Sequence, residues 1–435
     1  MWIPHIQNNG VATQSQEEMS VKVVIIAGGK GTRIASVASD IPKSMIPVAG
    51  KPVVEYQIEL AKRYGFTDIL LLIGHLGEQI KDYFGDGSKW GVNIDYFQEN
   101  EPLGTAGALP LVKDRLTDTF FVFYGDTIMD FDMQAMLDYH NSHNAKATLF
   151  LHPNDHPYDS DLVSVDENGM VDGFIFKPHN GLTEYRNLVN AALYVFDKSC
   201  VDYIPQGKFA MEKGLFPLLY KDNQRIAGYT SPEYIKDMGT PDRWESVTTD
   251  VLNGTVAKRN KANKRPAIFL DRDGVVNVEV DLLHKVEQMK LIDGVADAIK
   301  LINKSGYLAI IVTNQPVIAR NLCTFEDLKR IHNRMETLLG EKGAYIDGIY
   351  FCPHHPDKGY PEERVEYKID CDCRKPKPGM LLKAAEDFNI DLSESYMIGD
   401  SMRDIEAGKN ANVKECILVE TNKPNALLDV IKSVL

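Results

Sequence analysis

The first strong pattern in the chain is an apolar run, Val21 to Ala27, interrupted only by Lys22, as expected of a parallel strand buried on both faces. Alternating elements follow. The spacing predicts a helix over Pro52 to Tyr64, a strand over Asp68 to Ile73, a helix over Gly77 to Phe84 and a strand over Asn93 to Phe97. Phe120 to Tyr124 reads as another buried strand. The pattern lapses between Asn253 and Pro266, where five cations, no aromatic residue and a terminal proline predict a solvated linker. Apolar strands then resume at Ile268 to Leu270, Leu308 to Val312 and Tyr396 to Ile398. Strand–helix alternation before the lapse and buried-type strands resuming after it lead to the expectation of two α/β domains, each Rossmann-like. The boundaries read as a loose tail over 1–20, a first domain over 21–254, a basic linker over 255–266 and a second domain over 267–435.

Length agrees, since 435 residues at a prior of ~150 per domain make one core too few. The formal net charge of −14 argues against nucleic acid or an anionic membrane as the partner, so small molecules are expected. No apolar run reaches transmembrane length, and Met1 to Ser20 is polar and acidic, unlike a signal peptide. The six cysteines do not resemble a disulfide framework, and a reducing cytoplasm is the consistent compartment. Oligomeric state is not legible.

Chemistry sits at the strand ends. The first strand runs into Gly28, Gly29, Gly31, Thr32 and Arg33, and Lys43 follows after Pro42. Glycines let backbone N–H groups approach an anion, and the two cations can neutralise a triphosphate. The loop Glu101 to Ala108, with Gly104 and Thr105, is small enough for close approach by a base or sugar. Asp126, after a buried strand, and Asp237 could together hold Mg²⁺, although either alone is commonly a turn residue.

These motifs, with Asn190-Ala191, Glu212-Lys213 and Asp237-Met-Gly-Thr-Pro241, resemble the sugar-1-phosphate nucleotidyltransferase family in its own order. The resemblance implies a sugar 1-phosphate attacking the α-phosphate of a nucleoside triphosphate. Arg33 and Lys43 would stabilise charge, Asp126 and Asp237 would bind Mg²⁺, Asn190 and Glu212 would contact the sugar, and Lys177 its phosphate. Phe176 departs from the family, which has Glu before Lys-Pro.

In the second half, Asp271 and Asp273 lie two residues apart on a strand-end loop, where one carboxylate can attack phosphorus while the other moves a proton. Thr313, Asn314 and Gln315 offer hydroxyl and amide groups, Arg374 and Lys375 offer cations, and Gly399-Asp400 begins a second acidic strand end closed by Asp404. This order resembles the haloacid-dehalogenase phosphatase superfamily, and within it the branch of heptose bisphosphate and histidinol phosphatases. The resemblance implies Asp271 as nucleophile, Asp273 as general acid/base, and Thr313 and Asn314 near the phosphoryl group. Lys375 would bridge nucleophile and phosphate, and Arg374 would meet a second phosphate. Asp271, Asp273 and Asp400 would hold Mg²⁺, with Asp404 supporting the loop. Pro316-Val317 stands where the branch has Ser-Gly.

Cys352, Cys371 and Cys373 with one histidine make a closed tetrahedral zinc set, structural because no position is left open. Family spacing favours His354 over His355 as the fourth ligand. Cys200, Cys323 and Cys416 read as packing residues.

Together the halves imply nucleotide-activated heptose synthesis: a D-glycero-D-manno-heptose 1,7-bisphosphate 7-phosphatase joined to a heptose 1-phosphate guanylyltransferase. The anomer and the base are left open. An alternative joins a histidinol-phosphate-type or other monoester phosphatase to a mannose- or glucose-1-phosphate nucleotidyltransferase. A third reading makes one half a catalytically dead sensor, and the intact charged residues argue against it.

Overall fold

The computed structural model describes residues 21–29, 40–357, 359 and 362–435. The tail over 1–20 and the candidate residues Gly31, Thr32 and Arg33 lie outside them.

In chain order the first half contains β1 (Lys22–Ala27), a two-residue ladder of β2 (Pro47–Val48) and β3 (Lys51–Pro52), α1 (Val53–Arg63), β4 (Asp68–Ile73), α2 (Gly77–Phe84) and β5 (Asn93–Gln98). It continues with β6 (Thr119–Tyr124), β7 (Thr127–Asp130), α3 (Met133–Ser142), β8 (Ala147–His152), β9 (Leu162–Val165), β10 (Val171–Ile175) and β11 (Val189–Asp197). α4 (Phe216–Lys221), β12 (Ile226–Thr230), β13 (Tyr234–Asp237) and α5 (Pro241–Leu252) complete it. Nine strands form one sheet, ordered β10-β9-β11-β6-β1-β4-β5, with β8 and β12 joined through β11. The centre is parallel, β1 pairing with both β4 and β6. Alternate residues of these strands feed opposite faces: Val23, Ile25 and Phe121 enter one buried cluster, Val24, Leu70 and Val122 the other. Burial on both faces is why these strands are continuous apolar runs rather than alternating ones.

The second half contains β14 (Ala267–Leu270), α7 (Val295–Lys304), β15 (Leu308–Asn314), α8 (Phe325–Gly340), β16 (Gly348–Cys352), α9 (Gly379–Phe388), β17 (Tyr396–Gly399), α10 (Met402–Asn410), β18 (Glu415–Leu418) and α11 (Ala426–Val434), after the short α6 (Thr255–Lys258). Its sheet has the order β16-β15-β14-β17-β18 and is parallel throughout. Both halves are thus α/β, as expected. Among the described residues no helix is long and apolar enough to cross a membrane.

The segment 253–266 differs from the solvated linker expected of it. Residues 255–258 are helical, and Asn260 is buried, donating to Asp130 Oδ1 at 2.6 Å. Lys261 N–H donates to buried Glu233, and Arg265, also buried, donates through its guanidinium to Pro232 O and through its backbone to Asn389 O. A polar run need not be solvated when its donors find protein acceptors.

Candidate functional sites

In the first half the ligand-handling residues gather at the carboxyl edge of the parallel strands, the edge where such sheets bind ligands. Ala27 pairs with Ile73 and Ile26 with Tyr124, so Gly28, Gly74 and Gly125-Asp126 leave the sheet side by side. The backbones here nearly touch. A Cβ on Gly74 would lie 3.0 Å from the Gly28 backbone.

Asp126 and Asp237 are 111 positions apart in sequence, and the antiparallel pairing of β7 with β13 joins them. Asp237 pairs with Thr127, and Met238 N–H donates to Asp126 O at 3.0 Å. Each carboxylate meets a cation: Lys43 forms an ion pair with Asp126, and Arg243 Nη1 lies 2.5 Å from Asp237 Oδ2. Burial acts to raise the Asp237 carboxyl, but the Arg243 guanidinium outweighs it and leaves the group below its ordinary range.

Glu212 sits on a π-helical turn, a local form frequent at functional sites. Tyr124 Oη donates to its Oε1 at 2.5 Å, Thr105 Oγ1 to its Oε2 at 3.3 Å, and Met211 N–H donates to Thr105 Oγ1 at 2.9 Å. Thr105 therefore orients Glu212. Asn190 lies at a register shift in β11, with its Oδ1 accepting from Ala192 N–H. Such bulges re-aim side chains beside active sites. Lys177 Nζ donates to Asp159 O and Oδ1, and its backbone N–H to Asp161. Phe176, the departure from the family, has its ring 5.6 Å from Lys213 Nζ. Gly104 is required by the fold itself. Its φ is +78°, and a Cβ there would stand 2.4 Å from Phe209 O.

In the second half, β14 is central and ends at Leu270, which registers with Ile311 and Ile398. Asp271, Thr313 and Asp400 therefore share one sheet edge. Lys375, almost fully buried, closes the group with its Nζ 2.8 Å from Asp271 Oδ1, 2.6 Å from Asp404 Oδ1 and 2.8 Å from Val312 O. One ammonium facing two buried carboxylates leaves net negative charge. Burial pushes Asp271 up to about 7 against the pull of Lys375. Burial acts on Asp404 in the same sense, but Lys375 and two Ser401 donors outweigh it and hold that group low.

Carboxylate oxygens of Asp271, Asp400 and Asp404 lie within 4.8 Å of one another, a donor set suited to a hard dication. The surplus negative charge fits the same conclusion. Gly274 admits Asp400 to this group: its φ is +82°, and a Cβ would lie 2.1 Å from Asp400 Oδ2.

Two expected roles shift. The Asp273 carboxylate is not part of that three-carboxylate group. It faces Arg272 Nη2 at 2.9 and 2.8 Å, Asn277 at 2.9 Å and Gln315 at 2.9 Å. Burial would raise it, and these donors, led by Arg272, bring it below its ordinary range. Asp404 stands in that group instead, while its carboxylate also caps α10 through Ser401. The Asn314 side chain is occupied, donating to Lys375 O and accepting from Lys375 N–H. These bonds tie Asn314 to the lysine's loop. The Thr313 hydroxyl accepts from Gln315 at 2.8 Å. Arg374 donates to His354 O at 3.0 Å.

Cys352, His354, Cys371 and Cys373 present four donor atoms within 4.8 Å of one another. The S···S separations are 3.3–3.5 Å, and His354 Nδ1 lies 3.3 Å from Cys373 Sγ and 3.7 Å from Cys352 Sγ. A tetrahedron with metal–sulfur bonds of ~2.3 Å has edges of ~3.8 Å, so this set can close on one ion. His355 faces away, its Nδ1 accepting from Asp357 N–H. Cys200 and Cys323 are buried, and burial raises their thiols to about 12 and about 11.

Several functional neighbours carried no sequence signal of their own. Tyr124, Arg243, Arg272 and His332 are ordinary residues of their elements until the fold assembles them. Arg272 is fully buried, and its Nη1 lies 3.1 Å from His332 Nε2 on α8.

Comparison with known proteins finds a matching family in each half. The nucleotidyl transferase family matches residues 22–254, and a HAD-hydrolase-like family matches residues 372–429. The D-glycero-beta-D-manno-heptose-1,7-bisphosphate 7-phosphatase of Pasteurella multocida is 44% identical over 160 residues, covering 37% of this chain and 84% of that protein. Its counterpart in Haemophilus influenzae is 46% identical over 158 residues, 36% of this chain and 83% of that protein. Among solved structures, HddC from Yersinia pseudotuberculosis is 26% identical with a TM-score of 0.46, covering 53% of this chain and 99% of its own. The two catalytic centres define a bifunctional enzyme, a nucleotidyltransferase followed by a phosphatase. The chain belongs to the nucleotidyl transferase family through residues 22–254, and its second half belongs to the family of the heptose-1,7-bisphosphate 7-phosphatases.

Proposed function

We propose that the chain performs two consecutive steps in making an activated heptose. The second half, taken as a domain over 267–435, hydrolyses the 7-phosphate of D-glycero-D-manno-heptose 1,7-bisphosphate. The first, over 21–254, transfers GMP from GTP to the heptose 1-phosphate, giving GDP-heptose and pyrophosphate. The observation that carries this reading is the pairing on one chain: the product of the phosphatase, a sugar 1-phosphate, is the substrate class of the nucleotidyltransferase. GTP follows the resemblance to guanylyltransferases drawn from the sequence.

In the phosphatase, an Asp271 oxygen attacks phosphorus, and Asp273 delivers a proton to the departing sugar oxygen. Asp273 then takes a proton from the water that cleaves the aspartyl-phosphate. Lys375 holds Asp271 in place and meets the phosphoryl charge. Magnesium, held by Asp271 and Asp400 with Asp404 beside them, would supply further charge neutralisation. In the transferase, Lys43 and Arg33 would stabilise charge on the triphosphate, with Asp126 and Asp237 holding magnesium. Glu212 and Asn190 would position the sugar, and Lys177 its phosphate. Zinc on Cys352, His354, Cys371 and Cys373 would pin the loop beside the phosphatase site, with no open position for catalysis. Three reduced thiols suit a cytoplasmic enzyme.

The test follows phosphate and pyrophosphate separately when purified protein meets either anomer of the 1,7-bisphosphate, a nucleoside triphosphate and Mg²⁺. Phosphate first, then pyrophosphate only with GTP, is the expected result. Faster phosphate release from histidinol phosphate than from either bisphosphate anomer would overturn the heptose assignment.

A further inference from the structure

Two transferase loops surround Lys177, and they are tied to each other. Asn187 exchanges hydrogen bonds with the Asn154 backbone at 3.1 and 2.6 Å, and His179 Nε2 lies 2.8 Å from Ser160 O. Lys177 itself bridges to Asp159 and Asp161. The pair, residues 154–161 and 176–188, behaves as one unit.

That unit rests on the phosphatase half. Tyr185 N–H donates to Thr337 Oγ1 of α8 at 3.0 Å, and both residues are buried. Arg334 Nη1 donates to Thr183 O at 3.0 Å, and Arg330 grips Glu184 with two bonds of 2.8 and 3.1 Å. At the last turn of α8, Gly340 lies under Pro157 so closely that a Cβ would stand 2.4 Å from Pro157 Cγ. Helix, loops and proline ring interlock without room for a methyl group.

We propose that α8 of the phosphatase is the seat that sets the position of the transferase loops carrying Lys177, so that the second enzyme completes the sugar 1-phosphate subsite of the first. The inference rests on the reading of Lys177 as a ligand of the sugar's phosphate. Thr337 and Gly340 are positioning residues in this arrangement, since neither touches substrate. Misplacing a substrate-holding group by about an ångström can cost up to ~10²-fold, so a shift of these loops is felt at the sugar and not at the nucleotide.

The experiment uses the full chain. Gly340→Ala improves the intrinsic helix propensity of α8, so the phosphatase should keep its turnover while the added methyl pushes Pro157 away. The expected result is a KM for the sugar 1-phosphate raised about tenfold, with kcat and the KM for nucleoside triphosphate nearly unchanged. Adding Pro157→Ala, which removes the clashing ring atoms, should restore it. Thr337→Val is the second probe and should speed hydrogen exchange of the backbone amides over 183–187, whatever sugar the site takes. An unchanged KM in both variants, or unchanged exchange in Thr337→Val, would overturn the proposal. Lys177→Ala separates the two readings: if it leaves the sugar KM alone while Gly340→Ala raises it, the role of Lys177 falls and the seat stands.

Discussion

Arg272 and Asp273, neighbours in sequence, face each other as a buried clamp, with Arg272 Nη2 at 2.9 and 2.8 Å from the two carboxylate oxygens. For the acid/base role proposed above, Asp273 must hold its proton at the right moment and in the right place. The clamp fixes the place and opposes the proton. Its far end is His332, which burial keeps neutral and able to accept from Arg272.

Replacing Arg272 with Lys keeps a charge but loses the planar two-toothed grip. Phosphate release is expected to fall by ~10- to 100-fold, within the usual worth of acid–base catalysis. With Arg272 gone, burial of Asp273 is less opposed and its pKa rises. The alkaline limb of the kcat/KM profile, where the acid loses its proton, should then move to higher pH, as the pH dependence of phosphate release would show. Pyrophosphate formation from heptose 1-phosphate should not change.

Cys373→Ser removes one of four donors from the closed cluster. Bound zinc, counted by elemental analysis, should fall from one per chain toward none. Because binding energy of a structural metal is folding energy, the phosphatase half should melt roughly 5 °C or more lower. The transferase should keep its activity.

Glu336 lies buried on α8 beside Arg186, and burial pushes its carboxyl up to about 7 from 4.5, Arg186 acting in the opposite sense. A raised folded pKa contributes stability that is whole below pH ~4.5 and is lost as pH rises through ~7. The shift corresponds to on the order of 3 kcal/mol. Melting temperature should therefore fall between pH 5 and pH 8, and Glu336→Gln should flatten much of that fall. Glu233, also pushed up to about 7 by burial, leaves a residual slope.

Asn260→Ala tests whether the segment between the halves is packed or solvated. A solvated tether loses nothing. The bonds of Asn260 to Asp130 and Tyr64 instead predict a loss of about 1–3 kcal/mol in denaturant unfolding, because Asp130 is left buried with one donor fewer.

The strands and the chemistry at their ends can be read from the order of residues alone. Val23 to Ala27, Ile69 to Ile73 and Leu308 to Val312 are legible because a strand buried on both faces must be apolar at every position. The groups at their ends are legible because phosphate chemistry needs glycines, paired carboxylates and fixed cations close along the chain. The cysteine set was legible for the same reason of spacing. Relations between distant positions, and the environments they create, come from the fold. Asp126 meets Asp237 through a strand pairing that no local pattern announces. Arg272 is a residue type that is normally exposed, and it is buried here only because Asp273 and His332 satisfy it. Asn260 and Arg265 stand in a run whose composition reads as solvent-facing, yet each finds protein acceptors. Apolar burial is set by the residue's own chemistry and can be read locally. Polar burial is set by a partner, and the partner is supplied by the fold.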